Sequence, residues 1–319
     1  MSMKDQLINA IPEALTETDL TGFGDKITGK VRDIYKASAD QRILIATDRI
    51  SAFDCVLGAI PYRGQVLNQL SLWWFEQLSD VVANHVIASP DENVTIVKEA
   101  QALPVEVIVR GYITGVTDTS MWTMYERGER APYGIILPDG LQKNDPLSKP
   151  VITPTTKAED GGHDERITPL EIMERGLIRP DIWAQIERVA IAIFERGQAI
   201  ARSAGLVLVD TKYEFGLIDG KLALIDEVHT PDSSRYWLDG VVDENGEPAH
   251  YDKEYLRKWF VSQGYRGEGV PPTMPDEFIA DVAGRYIDIY ERLTGQTFQL
   301  GDLPIGARIA QNLTQWFHE

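Results

Sequence analysis

The segment LVLVDTKYEFG, residues 206–216, is apolar enough for a buried strand yet carries Asp210, Lys212 and Glu214 at every second position. Side chains alternate between the faces of a strand, so the three charges share one face while Val209, Thr211, Tyr213 and Phe215 take the other. Such a face either meets water at a sheet surface or lines a chemical site. The chain continues LIDGKLALIDEVHTPDSSR, where Asp219-Gly220 marks a hairpin and the returning strand brings Asp226 back toward Glu214. The turn decides whether those carboxylates can cooperate. A two-residue type I′ turn pairs Tyr213 with Asp226 and sends Asp226 to the face opposite Glu214; a three-residue turn with Gly220 left-handed, forming a G1 bulge, pairs Lys212 with Asp226 and keeps both acids on one face. The bulged turn is the expectation if the two acids share Mg²⁺, which takes one or two protein carboxylates and completes its shell with phosphate oxygens and water.

Composition narrows the class of partner. The chain has 319 residues, 43% hydrophobic and 25% charged, an ordinary globular balance with length for one large domain or two. Lys and Arg number 31 against 49 Asp and Glu, and the net charge of −18 repels nucleic acid and anionic lipid. Neither partner is expected, and any anionic ligand needs the few cations concentrated where it binds. No run of 18 apolar residues and no basic-then-apolar leader is present, so a cytoplasmic location is expected. Cys55 is the only cysteine, which excludes an internal disulfide and a Cys-rich metal site; a buried, inert thiol is its expected state. The histidines show no HxxH or HxxxH pairing, so zinc is not expected and His229 reads as structural. Oligomeric state is left open.

Periodicity organises the rest. GKVRDIYKA and QRILIATDRISAF read as two strands joined by a polar turn, and NVTIVKEAQALPVEVIVRGYITG as two more. Between them Leu67, Leu70, Trp74 and Leu78 recur at helical spacing, with Trp73 and Trp74 expected to pack rather than stack on a cofactor. Residues 1–112 are therefore expected to form a small antiparallel β lobe, and residues 113–319 an α+β lobe. The second lobe holds a long helix closed by Gly205, the strand 206–216, and a last helix from Pro275 or Asp276 to near Gly295. The fold class is α+β, two lobes with a cleft between them.

Two further stretches carry chemistry. In TGFGDKITGKVRDIY, Gly22, Gly24 and Gly29 precede a strand bearing Lys30 and Arg32; glycine lets backbone amides approach a polyphosphate and the cations offset its charge, although a plain turn fits the same pattern. In ALPVEVIVRGYITG, Glu106 and Arg110 lie on one face of an apolar strand, either as a structural ion pair or facing a ligand.

Taken in order, GKVRDIY, TDRISAFD, LPVEVIVRGYITG, TPTTK, LVDTKYEFG and IDEVHTPDSSRYW resemble the phosphoribosylaminoimidazole-succinocarboxamide synthase (SAICAR synthetase) family from about Gly29 to Trp237. The resemblance implies a ligase that joins L-aspartate to the carboxylate of carboxyaminoimidazole ribotide (CAIR) through an acyl phosphate, consuming ATP with Mg²⁺ in the cleft. It implies that Gly29, Lys30 and Arg32 cover the phosphates and that backbone near Ala102 and Leu103 holds adenine. Glu214 and Asp226 match the metal-binding acids. Arg110 and Arg235 match the arginines that grip the ribotide, with Ser234 and Asp232 beside them. Asp210 and Lys212 are expected to line the CAIR carboxylate or aspartate pocket, with Asp48, Ser51 and Asp54 as further candidates for that chamber or as parts of a capped turn.

One departure stands out. The family pattern after the arginine strand ends Gly-Ser, and here Gly115 is followed by Val116, which cannot donate the serine's hydrogen bond. Thr114, Thr117, Thr119, Ser120 or backbone amides are the available substitutes. Two other functions share parts of this pattern: a small-molecule kinase, which needs no aspartate pocket, and an inactive nucleotide-binding regulator, which has no need of Lys212, Glu214 and Asp226.

Overall fold

Alternating apolar residues in the first third build the first sheet. The computed structural model describes residues 1–116, 120–157, 165–244, 246–251 and 253–318. After helix α1 (Met3–Ala10), strands β1 (Asp25–Thr28), β2 (Arg32–Lys36) and β3 (Gln41–Ala46) form a meander; a hairpin β4 (Arg49–Ala52) and β5 (Cys55–Ala59) and helix α2 (Arg63–Gln77) follow, then β6 (Val86–Asp91) and β7 (Val94–Lys98). The order β1-β2-β3-β7-β6 is antiparallel throughout, with Ile43, Ile45, Val94 and Ile96 fully buried on its inner side.

The second sheet takes over at residue 101. Strand β8 (Gln101–Tyr112), which the sequence groups with the first lobe, hydrogen-bonds instead to the strand of the opening segment, so the changeover between sheets lies between Lys98 and Gln101. Its long-range partner overrides its sequence neighbours. Helix α3 (Met121–Glu126), strands β9 (Pro146–Ile152) and β10 (Thr155–Thr156), and helices α4 (Pro169–Glu174) and α5 (Pro180–Ser203) lead to β11 (Leu206–Ile218), β12 (Lys221–Ile225), β13 (Ser234–Val242) and β14 (Pro248–His250). The path is β10-β8-β11-β13-β14, with β12 on β11 and β9 on β8.

Strand β11 has β8 along one edge, and along the other edge β13 at its first half and β12 at its second. Tyr213 and Phe215 are buried in the main core, which Trp183, Ile186, Ile193 and Phe194 of α5 share. His229 is fully buried there too, its ring bonded to the Tyr213 hydroxyl at 2.5 Å, and burial pushes its pKa down to about 3, so it is neutral as expected of a structural histidine. Trp74 is fully buried as a packing residue. Cys55, expected to be buried, is half-buried at a strand start, its Sγ 3.1 Å from the Tyr265 hydroxyl.

Helix α6 (Glu254–Ser262) and α7 (Asp276–Thr294) close the main core, α7 ending at left-handed Gly295 as predicted. It is not the last helix. Helix α8 (Ile305–His318) crosses back to the first sheet, where Ile305, Ile309 and Leu313, spaced by four, join Ile43 and Ile96 in a second core. Arg308 clamps it there through Asp91 at 2.9 Å and Asn93 at 2.6 Å.

The hairpin corrects one expectation. Ile218 pairs with Lys221, and Asp219 (φ 53°) and Gly220 (φ 73°) are both left-handed, so this is a two-residue I′ turn and no G1 bulge forms. The ladder stops at Glu214–Ile225, and Asp226 turns to φ 68° and leaves it, a conformation aspartate tolerates better than most residues. Asp226 therefore leaves the ladder before the I′ register would pair it with Tyr213. Substituting Gly220→Val places a β-branched residue at positive φ; we expect a loss of roughly 1–3 kcal/mol in chemical denaturation. Unchanged stability would mean that the turn relaxes without cost.

Candidate active site

Charged side chains gather where the edge partner of β11 changes from β13 to β12. Opposite Asp210 on β8 is Arg110, opposite Lys212 is Ile108 and opposite Glu214 is Glu106, so two of the three charged residues of β11 stand directly across from charged residues of β8. On the β13 side the register shifts by one between Leu208 and Asp210, and the shift sets Arg235 opposite Asp210. The bulge that composes the site thus lies between β11 and β13 rather than in the hairpin. Asp210 accepts from Arg110 at 3.0 Å and lies 3.5 Å from the Arg235 guanidinium; Arg110 also donates to the Thr153 hydroxyl at 2.8 Å.

Two steps along the strand, Lys212 sits between two carboxylates, 2.5 Å from Glu106 and 3.1 Å from Glu214. Glu214 is bonded by a second cation, Lys157, which lies just past β10. Burial works against charge at both ends of this cluster, but the opposite charges outweigh it: Glu214 is held down to about 2 by Lys212 and Lys157, and Lys212 is raised above the usual lysine range by Glu214 and Glu106. Lys157 is a site residue that sequence reasoning passed over. Its signal was there in TPTTK, where Thr153, Thr155 and Lys157 alternate onto one side: Thr153 reaches Arg110, and the Thr155 hydroxyl lies 3.4 Å from Glu106.

The first lobe supplies the remaining cations. Arg32 is bonded to Asp226 and lies 3.1 Å from Glu227. The loop before it is shaped by Arg49, whose guanidinium donates to the carbonyls of Gly29 (3.0 Å), Lys30 (3.1 Å) and Arg32 (3.1 Å). Lys30 points outward and pairs with Asp54 at 3.0 Å, both more than half exposed. At Ala102 and Leu103 the ladder with β11 skips two positions between Glu106 and Ala102, beside Pro104, which has no N–H to offer. Ala102 is exposed there and Leu103 buried.

Several predicted contacts are turned elsewhere. Asp48 is fully buried and accepts the amides of Leu15 and Gly64 at 2.8 Å each; burial, only partly offset by these amides, pushes its pKa up to about 6. It ties the chain entering β4 to α2 and does not face the chamber. Ser51 is half-buried within the β4–β5 ladder, opposite Val56. Asp232 is committed on both oxygens, to Arg63 and Lys253 (2.8 Å) through one and Tyr286 (2.6 Å) through the other, and so anchors the 230–235 loop from behind. Ser234 bonds the Thr211 hydroxyl at 2.7 Å. Near the Gly-Val departure, the Thr114 hydroxyl bonds Asn144 at 2.6 Å, Ser120 caps α3, and Val116 is exposed; Thr117 and Thr119 lie outside the described residues.

A carboxylate with a lowered pKa stabilises the fold above its ordinary value of 4.5 and loses that contribution as pH falls toward 2. Carboxyl titration by NMR should therefore find Glu214 ionised to about pH 2, with the stability it adds declining between pH 4.5 and 2. Lys212→Met should move its midpoint up by at least one unit, since Glu106 and Glu214 then face each other without the cation between them. An unmoved midpoint would remove Lys212 as the cause.

The model of the SAICAR synthetase family matches residues 25–272. The phosphoribosylaminoimidazole-succinocarboxamide synthase of Legionella pneumophila (strain Lens) is 49% identical over 315 residues, 96% of this chain and 99% of that protein. The chloroplastic synthase of Arabidopsis thaliana is 46% identical over 98% of this chain and 78% of its own length. Among solved structures, SAICAR synthase from Saccharomyces cerevisiae, complexed with SAICAR, superposes with a TM-score of 0.80 at 32% identity, over 90% of this chain and all of that one. With the family model spanning both sheets and relatives of nearly half identity spanning almost the whole chain, this protein belongs to the SAICAR synthetase family.

Proposed function

We propose that this chain performs the ligation of its family: ATP drives amide formation between L-aspartate and the carboxylate of CAIR, giving SAICAR, ADP and phosphate. The observation that carries the proposal is the charge pairing of the chamber. Arg110 and Arg235 share Asp210, Lys212 and Lys157 share Glu214, and Arg32 holds Asp226. Three anionic reactants can meet there only if cations are supplied, and each of these cations is kept neutralised by an acid from which a substrate anion can take it over.

A carboxylate does not react with an amine, so a carboxylate oxygen of CAIR first attacks the γ-phosphorus of ATP and ADP departs. The aspartate amine then attacks the acyl carbon, phosphate leaves, and the amine gives up a proton. In this reading Lys212 is a fixed positive charge beside the reacting carboxylate. Glu214 and Glu106 hold its proton too firmly for it to act as the base. Asp210 orients Arg110 and Arg235, whose planar donors suit a ribotide phosphate or carboxylate. Gly29, Lys30 and Arg32 cover the nucleotide phosphates, and the interrupted ladder at Ala102 and Leu103 receives the base.

A magnesium ion fits the donors present. Glu214 is ionised across the working pH range, and it and Asp226 are both hard oxygen donors. Among the described residues no cluster of three or more His, Cys, Asp or Glu could hold a metal by itself. Such an ion would complete its shell from the nucleotide and water, where it offsets phosphate charge. No helix among the described residues is long and apolar enough to cross a membrane, and a cytoplasmic location belongs to this proposal.

The deciding measurement is ADP release coupled to product analysis, with CAIR and with or without L-aspartate. Amide product and stoichiometric phosphate are expected when both are present. Sustained ATP turnover on CAIR without amide would make the protein a kinase. A second measurement addresses the arginines: Arg110→Lys or Arg235→Lys should raise KM for CAIR by roughly tenfold or more and KM for ATP much less, because a point charge loses the two-donor contact. A defect confined to ATP would move that arginine to the nucleotide side.

A further inference from the structure

Arg285, on α7, lies outside the chamber, and among the described residues no acid pairs with it. Its guanidinium carbon is 3.8 Å from the Tyr255 ring centre and 5.6 Å from that of Tyr251. It is half-buried, and among the described residues it makes no hydrogen bond or ion pair. The acids of α7 around it are engaged elsewhere: Asp281 and Glu277 bind Lys4 at 2.8 and 2.7 Å, and Asp288 binds Arg292 at 2.5 Å and the Tyr251 hydroxyl. In a chain with 49 acidic and 31 basic residues, a guanidinium whose donors meet no partner among the described residues can take an anion from outside.

Arg285 and the two tyrosines wall a groove of about 460 Å³, completed by Met3, Lys4 and Leu7 of α1 and by Ala280, Gly284 and the Lys4-bound Asp281 of α7. Glycine inside a helix costs roughly 1 kcal/mol relative to alanine. Close helix packing does not account for it, since a Cβ built on Gly284 meets nothing within 4 Å. What the missing side chain does is leave the groove open. The same arginine and tyrosines also line a narrower space with Pro231, Lys253 and Tyr286. Lys253 and Tyr286 are two of the three residues that hold Asp232, with Arg63, and Asp232 holds the loop carrying Arg235.

We propose that this groove binds a small molecule with an apolar body and one oxyanion, a carboxylate or a phosphate taken by Arg285, and that its occupancy is felt at residues 230–235 through Lys253 and Tyr286. The second half of the proposal rests on the substrate role given to Arg235; the binding half does not.

Calorimetry on the full chain separates the two. The probes are phenyl phosphate, benzoate and inorganic phosphate, each against wild type, Arg285→Gln and Gly284→Leu. Leucine is a better helix former than glycine, so Gly284→Leu should keep or raise Tm. Phenyl phosphate or benzoate should bind wild type more tightly than inorganic phosphate does, and the tighter of the two identifies the oxyanion. Arg285→Gln should weaken that binding at least tenfold, the worth of a charged hydrogen bond of about 1.5 kcal/mol, and Gly284→Leu should abolish it. Binding that survives both substitutions would put the anion on the chamber arginines and overturn the site, as would no heat from any probe up to about 10 mM. Binding of inorganic phosphate as tight as that of phenyl phosphate would overturn the apolar body. For the link to the loop, the tighter probe should change KM for CAIR at least twofold in wild type and not in Gly284→Leu; an unmoved KM with binding intact would overturn that link alone.

Discussion

Glu106 and Glu214 stand directly opposite one another on neighbouring strands, and the site depends on the cation placed between them. Like charges in that position repel by up to about 1 kcal/mol even on an exposed sheet. Here both carboxylates are largely buried, and the cost would be higher without Lys212. The lysine holds the Glu214 carboxyl below its ordinary range and is itself locked as an ammonium. With that triad in place the next pair along the strand, Asp210 with its two arginines, falls into the same plane of charge. Stability and chemistry are joined at this point, since the groups that would meet substrate also neutralise each other in its absence.

Topology explains why the triad occurs at this position on β11. Near Lys212 the strand exchanges one edge partner for another, and the chain between β12 and β13 must leave the sheet and return. Its departure begins at left-handed Asp226, which reaches Arg32, and its return passes Asp232, which is gripped from behind by Arg63, Lys253 and Tyr286. The charged residues project from one face of β11 and β8, while the other face stays in the core with Tyr213 and His229.

Much of this was legible in the residues. Period-two alternation located β11 and its charged face, and helical spacing located α2, α5 and α7, because those patterns belong to neighbours two to four positions apart. Helix α8 carried an equally readable i, i+4, i+8 row of Ile305, Ile309 and Leu313 and was overlooked; where it packs, on the first sheet across nearly the whole chain length, no local pattern states. Asp48 and Asp232 lay within recognisable motifs and looked chemical. Burial made the first a tie between backbone amides and the second an anchor, and burial is a property of elements far apart in sequence.

By itself, then, the sequence determined the element types, the family and the residue types offered to the chamber, since each rests on local order or on motifs read in succession. Tertiary structure alone decided which of those residues meet. The one-residue shift between β11 and β13 brings Arg235 to Asp210, the I′ turn followed by a left-handed Asp226 replaces the expected bulge, and Lys157 arrives at Glu214 from 57 positions away. The physical reason is that register and long-range salt bridges are set by the competition among all strands and loops for the same hydrogen-bonding edges and the same few opposite charges. That competition has an outcome only when the whole chain is folded.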